Sequence, residues 1–176
     1  ALSSLKFKEF ASVAILLMIA GCVLPFQVWN EDALMKLRTV AVVPIAVGAE
    51  QKDLLNSYFP RFQSEFTKAF AGRISLVPAE TVRKQIEESA GGPDRDFTWE
   101  FMAEVGRQLQ ADAVIGLLIE ESDTPGKLIE HIKVVGVASG KILASNNFLI
   151  KSSSQHSFRQ EISELKTIFR DNKKAD

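Results

Sequence analysis

The 176-residue chain has the length of one compact domain, and 46% of its residues are apolar. The two signs of charge nearly balance, at a formal net charge of -1, so the strongly basic surface typical of nucleic-acid binding is not indicated. The single cysteine, Cys22, excludes an internal disulfide and a zinc site built from paired thiolates.

The first predicted element is a signal segment. Lys6 and Lys8 precede an apolar run over residues 10–24, in which Ser12 is the one polar side chain. A run this short is typical of a signal peptide, because a helix that spans about 30 Å of hydrocarbon needs about 20 apolar residues. An uncleaved anchor helix, or a core helix in which Cys22 is incidental, is the alternative.

The apolar run ends in an aliphatic residue, two small residues and a cysteine: Ile19, Ala20, Gly21 and Cys22. This sequence resembles a bacterial lipobox. The resemblance implies a signal peptide over residues 1–21 and a lipid on the thiol of Cys22. Since valine rather than aspartate follows the cysteine, the resemblance implies the periplasmic face of the outer membrane. An uncleaved helix would instead place the chain in the inner membrane.

Residues 22–37 are predicted to be the lipidated N-terminus and a short linker. Residues 39–47 are nearly continuous in Val, Ala and Ile, which is typical of a central strand covered on both faces. Residues 51–71 form a predicted helix in which Pro60 either kinks the chain near Asn56 or starts a second segment. Its apolar side chains recur at helical spacing: Leu55, Tyr58, Phe62, Phe66 and Phe70.

A second strand over residues 73–77 and a helix over residues 79–89 follow, and then a Gly-Gly-Pro loop. Thr98 or Asp96 is predicted to cap a third helix. That helix directs three apolar side chains inward: Phe101, Val105 and Leu109.

Residues 112–119 are predicted to be a buried strand, and residues 128–137 and 141–151 an antiparallel hairpin joined through a Ser-Gly turn. A final amphipathic helix carries four apolar residues at helical spacing: Phe158, Ile162, Leu165 and Phe169.

Two β-α-β crossovers make the first three predicted strands parallel, and right-handed connections determine their order. The prediction is therefore an α/β fold with a mixed five-stranded sheet and helices packed on it. Its element order is β-α-β-α-α-β-β-β-α, and its strand order is about 2-1-3-4-5. The domain covers residues 38–151, and a C-terminal amphipathic helix and tail cover residues 152–176.

Three segments carry a further resemblance: residues 40–44 (Val-Ala-Val-Val-Pro), 111–116 (Ala-Asp-Ala-Val-Ile-Gly) and 134–143 (Val-Val-Gly-Val-Ala-Ser-Gly-Lys-Ile-Leu). Together they resemble the TolB amino-terminal-like superfamily, over residues 38–151. That superfamily includes the TolB amino-terminal domain, LpoB-type lipoproteins that activate penicillin-binding proteins, and the periplasmic part of the curli channel CsgG. Gly136 departs from the pattern, since relatives often have aspartate before the turn.

No residue pattern indicates an enzyme, a cofactor or a metal site. His131 and His156 are the only histidines, and neither has a second ligand at metal spacing. The adjacent carboxylates Glu120 and Glu121 alternate sides of a strand, so they are not arranged for paired acid-base chemistry. No glycine-rich loop carries the lysine of a phosphate-binding site.

The remaining candidates are surface residues for a partner: Phe97, Trp99, Asp123 and Lys127. Aromatic side chains contribute large contact areas at interfaces, although for Trp99 the favoured interpretation is that it packs on the sheet. The predicted function is a lipid-anchored periplasmic protein-interaction module, accessory to an envelope assembly for cell-wall synthesis, secretion or flagella. Its partners would be the membrane and an envelope protein or a second copy, with no nucleic acid. A self-associating ring subunit and an uncharacterised ligand binder or hydrolase are the alternatives.

Overall fold

The computed structural model describes residues 26–46, 49–89, 98–151 and 157–169. These residues form a six-stranded mixed sheet with helices packed on both faces. The strands are β1 (Gln27–Val28), β2 (Thr39–Ala46), β3 (Ser75–Leu76), β4 (Ala113–Glu121), β5 (Lys127–Gly136) and β6 (Lys141–Lys151). The helices are α1 (Glu31–Met35), α2 (Ala49–Ala69), α3 (Ala79–Glu88), α4 (Trp99–Gln108) and α5 (Arg159–Ile168).

The strand order in the sheet is β1-β6-β5-β4-β2-β3. Strand β2 is parallel to both β3 and β4, as two β-α-β crossovers require, whereas β4, β5 and β6 form an antiparallel meander. The predicted α/β class is confirmed. The predicted count of five strands is wrong, because β1 adds an edge strand beside β6. The five predicted strands keep the neighbours that the sequence assigned to them.

Residues 26–37, which the sequence assigns to a linker, are packed on the sheet. Phe26 is buried and meets Phe148 edge-on, with ring centroids 6.1 Å apart. The side chain of Asn30 caps α1 by accepting a hydrogen bond from the Ala33 N–H at 2.9 Å, and Leu34 of this helix is buried. The described part of the domain therefore starts four residues after Cys22.

The first face of the sheet is covered by α1, α2 and α5, which share one apolar core. The predicted inward residues Tyr58, Phe62, Phe66 and Phe70 are all buried, and so are those of the last helix. Helix α2 is continuous through Pro60, so the predicted alternative of a second segment is wrong. Pro60 and Asn56 are exposed, so water can replace the backbone hydrogen bond that proline cannot donate.

Helices α3 and α4 cover part of the second face. Val82, Phe101 and Val105 are buried there against Val114 and other residues of β2, β4 and β5. Thr98 caps α4 as predicted, since its hydroxyl accepts a hydrogen bond from the Phe101 N–H at 3.2 Å. The alternative cap, at position 96, lies outside the described residues.

Asp112 fixes the start of β4 against the start of β2. One carboxylate oxygen, Oδ2, accepts hydrogen bonds from the backbone N–H groups of Arg38 and Thr39, each at 2.8 Å. The backbone N–H of Asp112 in turn donates to the Thr39 carbonyl oxygen at 2.8 Å. The aspartate of the Ala-Asp-Ala motif thus has a structural role, because it sets the register of the parallel pair.

Candidate functional site

The second face of the sheet is only partly covered by helices. Alternation along β4 and β5 directs Val114 and Val135 beneath α3 and α4, where both are buried. Nearer the β4–β5 turn the same face carries partly or largely exposed side chains, which we call the open face. It consists of Leu118, Glu120, Ile129, His131, Lys133, Asn147 and Leu149.

His131 links three strands at the centre of the open face. Its Nε2 lies 3.0 Å from Oε2 of Glu120 on β4, and its Nδ1 lies 2.7 Å from Oδ1 of Asn147 on β6. The side chain of His131 is 22% exposed and that of Glu120 is 45% exposed. The strand register produces this geometry, since His131 is directly opposite Asn147 and diagonal to Glu120.

Both ring nitrogens of His131 are therefore engaged. A neutral imidazole donates one hydrogen bond, so two acceptor oxygens require either the protonated ring or an Asn147 amide turned to donate its N–H. In the ranges that the structure describes, no group of three or more His, Cys, Asp or Glu side chains is placed to hold a metal. The arrangement suits recognition by hydrogen bonds and charge.

A second polar cluster lies on the other face of β5, inside the apolar core. Glu130 is completely buried, Glu161 of α5 is 1% exposed and Tyr58 of α2 is 2% exposed. Carboxylates are almost never this deeply buried unless a partner compensates the charge. Among the described residues, neither carboxyl oxygen of Glu130 has a well-formed hydrogen bond.

Burial raises the pKa of Glu130 well above its usual range, and the carboxylate of Glu161 raises it further. The neighbouring Tyr58 hydroxyl acts in the opposite direction, because a hydroxyl donor beside the carboxyl group favours its charged form. Burial, followed by the charges of Glu130 and Glu161, raises the pKa of Tyr58, so its hydroxyl stays protonated. The fold therefore favours the neutral form of Glu130, and the cluster joins α2 and α5 to β5.

The predicted surface residues fall into three groups. Asp123 and Lys127 are both exposed at the β4–β5 turn. Trp99 is the first residue of α4 and is 44% exposed, so part of its ring is accessible to solvent. The remaining predicted residues lie outside the described ranges: Ile19, Ala20, Gly21, Cys22 and Phe97.

The packing of α4 places Trp99 beside the open face. Gly106 of α4 lies against Val114, and Met102, one turn earlier, lies against Gly116. The helix therefore runs antiparallel to β4. A further rise of about 4.5 Å, at 1.5 Å per residue, brings Trp99 to the level of Leu118.

Sequence reasoning missed most of the open face, including His131, Asn147 and the apolar side chains around them. Alternation along β5 could have indicated the position of His131. Ile132 and Val134 lie in the apolar core on the first face of the sheet, so His131 must lie on the second face. The partners of His131, which are Glu120 and Asn147 on the neighbouring strands, can be identified only once the register of β4, β5 and β6 is known. In the described ranges no helix has the length and apolar character needed to cross a bilayer.

These observations define a class of molecule: a small mixed α/β module whose sheet has one helix-covered face and one partly open face. No protein-family model matches the chain, and no curated protein sequence matches it. Solved structures that it resembles include the LpoB C-terminal domain from Salmonella enterica, at 14% identity over 80% of this chain and 93% of that one, with a TM-score of 0.43.

Two further structures resemble it to a similar degree. Lipoprotein GNA1162 from Neisseria meningitidis is 17% identical over 73% of this chain and 91% of that one, with a TM-score of 0.46. The PelC dodecamer from Paraburkholderia phytofirmans is 12% identical over 83% of this chain and 96% of that one, also with a TM-score of 0.46. At these identities no residue role is carried from one chain to another.

Proposed function

We propose that this chain is a lipid-anchored, non-enzymatic protein-interaction module of the bacterial envelope, on the periplasmic face of the outer membrane. The observation that carries the proposal is the sequence Ile19-Ala20-Gly21-Cys22, placed four residues before Phe26 of the folded domain. The lipid on Cys22 holds the module at the membrane. Its partner belongs to an envelope assembly, for cell-wall synthesis, secretion or flagella.

Metabolic labelling with a palmitate analogue tests the anchor. The wild-type chain should carry the label, whereas Cys22→Ser should carry none, because the serine hydroxyl does not replace the thiol as the acceptor of the diacylglyceryl group. Equal labelling of the two proteins, or an unlabelled wild type, would refute the proposal. Wild-type protein should also sediment with outer-membrane rather than inner-membrane vesicles.

The open face is the proposed partner surface. It combines apolar side chains with a histidine whose hydrogen bonds fix its orientation, and the helix that begins with exposed Trp99 packs on the same face of the sheet. Tryptophan is one of the residue types that contribute most binding energy at interfaces. A partner that covered this face would bury Leu118 and Ile129 together with the polar group around His131.

Photo-crosslinking in living cells tests this surface. A benzophenone amino acid placed at Trp99 should give a discrete crosslinked product, and His131→Ala should reduce its yield. Trp29 is the matched control, because it is 53% exposed but lies beside β1 at the sheet edge. Equal products from both positions would contradict a specific partner on the open face. A product of twice the chain mass would identify the partner as a second copy.

A further inference from the structure

Helix α5 is held on the first face of the sheet by aromatic contacts at its two ends. Phe158, which precedes the helix, meets Tyr58 of α2 edge-on, with ring centroids 4.4 Å apart. Phe169, which follows the helix, meets Phe70 edge-on at 5.5 Å. Between these ends three side chains of α5 are buried in the apolar core of the first face: Ile162, Leu165 and Ile168. The helix therefore covers aromatic surface of α2 that would otherwise face water.

The two buried glutamates meet under the first turn of this helix. Glu161 is the third residue of α5, and its carboxylate acts on Glu130 of β5 through both charge and hydrogen bonding. The positive end of the helix dipole favours a negative charge on Glu161, so the proton of the pair belongs on Glu130. If Glu130 also lost its proton, two negative charges would repel each other where water does not screen them. Docking of α5 therefore depends on that proton.

The elements packed around Glu130 offer no buried positive charge in its place. Helix α2 contributes the Tyr58 hydroxyl, which stays protonated, and exposed Arg61, whose guanidinium lies 5.6 Å from the centre of the Phe158 ring. The residues directly opposite Glu130 on β4 and β6 are apolar: Ile119 and Phe148. The charged residues of α1 and of its C-terminal end are exposed: Glu31, Asp32 and Lys36. Among the described residues no lysine, arginine or histidine is buried, so a proton is what neutralises Glu130.

We propose that α5 is a proton-dependent strap, which stays docked on the first face while Glu130 is neutral and undocks when Glu130 loses its proton. Undocking lets water reach both carboxylates and uncovers the aromatic surface of α2 beneath Phe158 and Phe169. The core of the second face is a separate cluster, so α3 and α4 stay in place. In alkaline surroundings the chain then exposes an apolar surface that is distinct from the open face.

The direction of the pH effect follows from the two states of the strap. In the docked state burial, and then the charge of Glu161, raises the pKa of Glu130, whereas undocking returns it toward its usual value of 4.5. Between these two values the docked form keeps a proton that the undocked form releases. Docking is therefore strongest at acidic pH, and the equilibrium constant for opening α5 should increase up to about tenfold for each pH unit in this window.

Hydrogen–deuterium exchange of the full-length chain from pH 5 to pH 9 tests the strap. After correction for the intrinsic effect of pH on exchange, the backbone amides of α5 should lose protection as pH rises, whereas those of β4 and α4 should keep it. Glu130→Gln should make the protection of α5 independent of pH, and Glu161→Gln should weaken the dependence. Glu164→Gln, on a partly exposed glutamate of the same helix, is the matched control and should follow the wild type.

Three results would overturn the strap. The first is protection of α5 that does not change with pH. The second is loss of protection in α5 and β4 together, because the whole domain then unfolds and the helix does not undock by itself. The third is a Glu130→Gln protein that keeps the pH dependence of the wild type. If Glu130→Gln does not fold, an unchanged dependence in Glu161→Gln overturns the strap in its place.

Discussion

Glu130→Gln should stabilise the domain at neutral and alkaline pH. The substitution keeps the shape and hydrogen-bonding capacity of the side chain but removes a carboxyl group that is fully buried among apolar residues. Glutamine can donate to the Glu161 carboxylate and accept from the Tyr58 hydroxyl. An uncompensated buried polar or charged group costs on the order of 1 to 3 kcal/mol, and we expect a gain of this size in the free energy of unfolding at pH 8.

The pH dependence follows from the raised pKa of Glu130. Above its usual pKa of 4.5 the unfolded chain releases this proton, whereas the folded domain retains it up to the higher folded pKa. The native state then binds more protons than the unfolded state, so stability falls as pH rises through this window. Each pKa unit of difference is worth about 1.4 kcal/mol once the pH exceeds the folded value. The advantage of Glu130→Gln should therefore be small near pH 4.5 and grow with pH.

Urea denaturation from pH 4.5 to pH 9 measures this difference. Glu161→Gln should reduce the pH dependence without abolishing it, because it removes the carboxylate that raises the pKa of Glu130. Glu121→Gln, on an exposed glutamate at the end of β4, is the matched control and should follow the wild type. A Glu130→Gln protein destabilised equally at every pH would show that the fold does not raise the pKa of Glu130.

The main lines of the fold are predictable because their signals are long and repetitive. Strand β2 and strand β4 are almost wholly apolar, and aromatic residues recur at helical spacing from Tyr58 to Phe70, over about three turns. Strand β1 and helix α1 have two and five residues respectively, which is too short for a periodic signal. Their formation depends on Phe26 and Leu34 meeting a core that the rest of the chain builds. The formation of β1 and α1 therefore depends on tertiary contacts and cannot be predicted from the local sequence.

The polar clusters around His131 and around Glu130 are harder to predict from the sequence than the strands and helices. Glu130 and His131 are adjacent polar residues in one strand, and hydropathy alone does not tell which of them is buried. Counting in steps of two from buried Ile132 places Glu130 inside and His131 outside, as observed. The partners Tyr58 and Glu161 lie on separate helices, however, so the identity of the cluster depends on how those helices pack.

Helix α4 approaches the sheet closely at Gly106. A methyl group at this position would place its carbon 2.5 Å from Cγ2 of Val137 and 2.6 Å from Cγ2 of Val114. Both valines are buried, and β-branched side chains have few alternative rotamers, so the helix itself would have to move. The same helix carries Trp99, so the packing at Gly106 also positions the border of the open face.

Gly106→Ala should therefore destabilise the domain even though alanine is the better helix former. Overpacking a core costs about 1 to 3 kcal/mol or more, which exceeds the gain of at most about 1 kcal/mol in helix propensity. Urea unfolding measures the loss, with exposed Glu104→Ala on the same helix as a control that should stay within about 0.5 kcal/mol of the wild type. Because Val137→Ala removes one of the two close contacts, the double variant should lose less stability than the sum of the single variants. Strict additivity would show that Gly106 and Val137 do not touch.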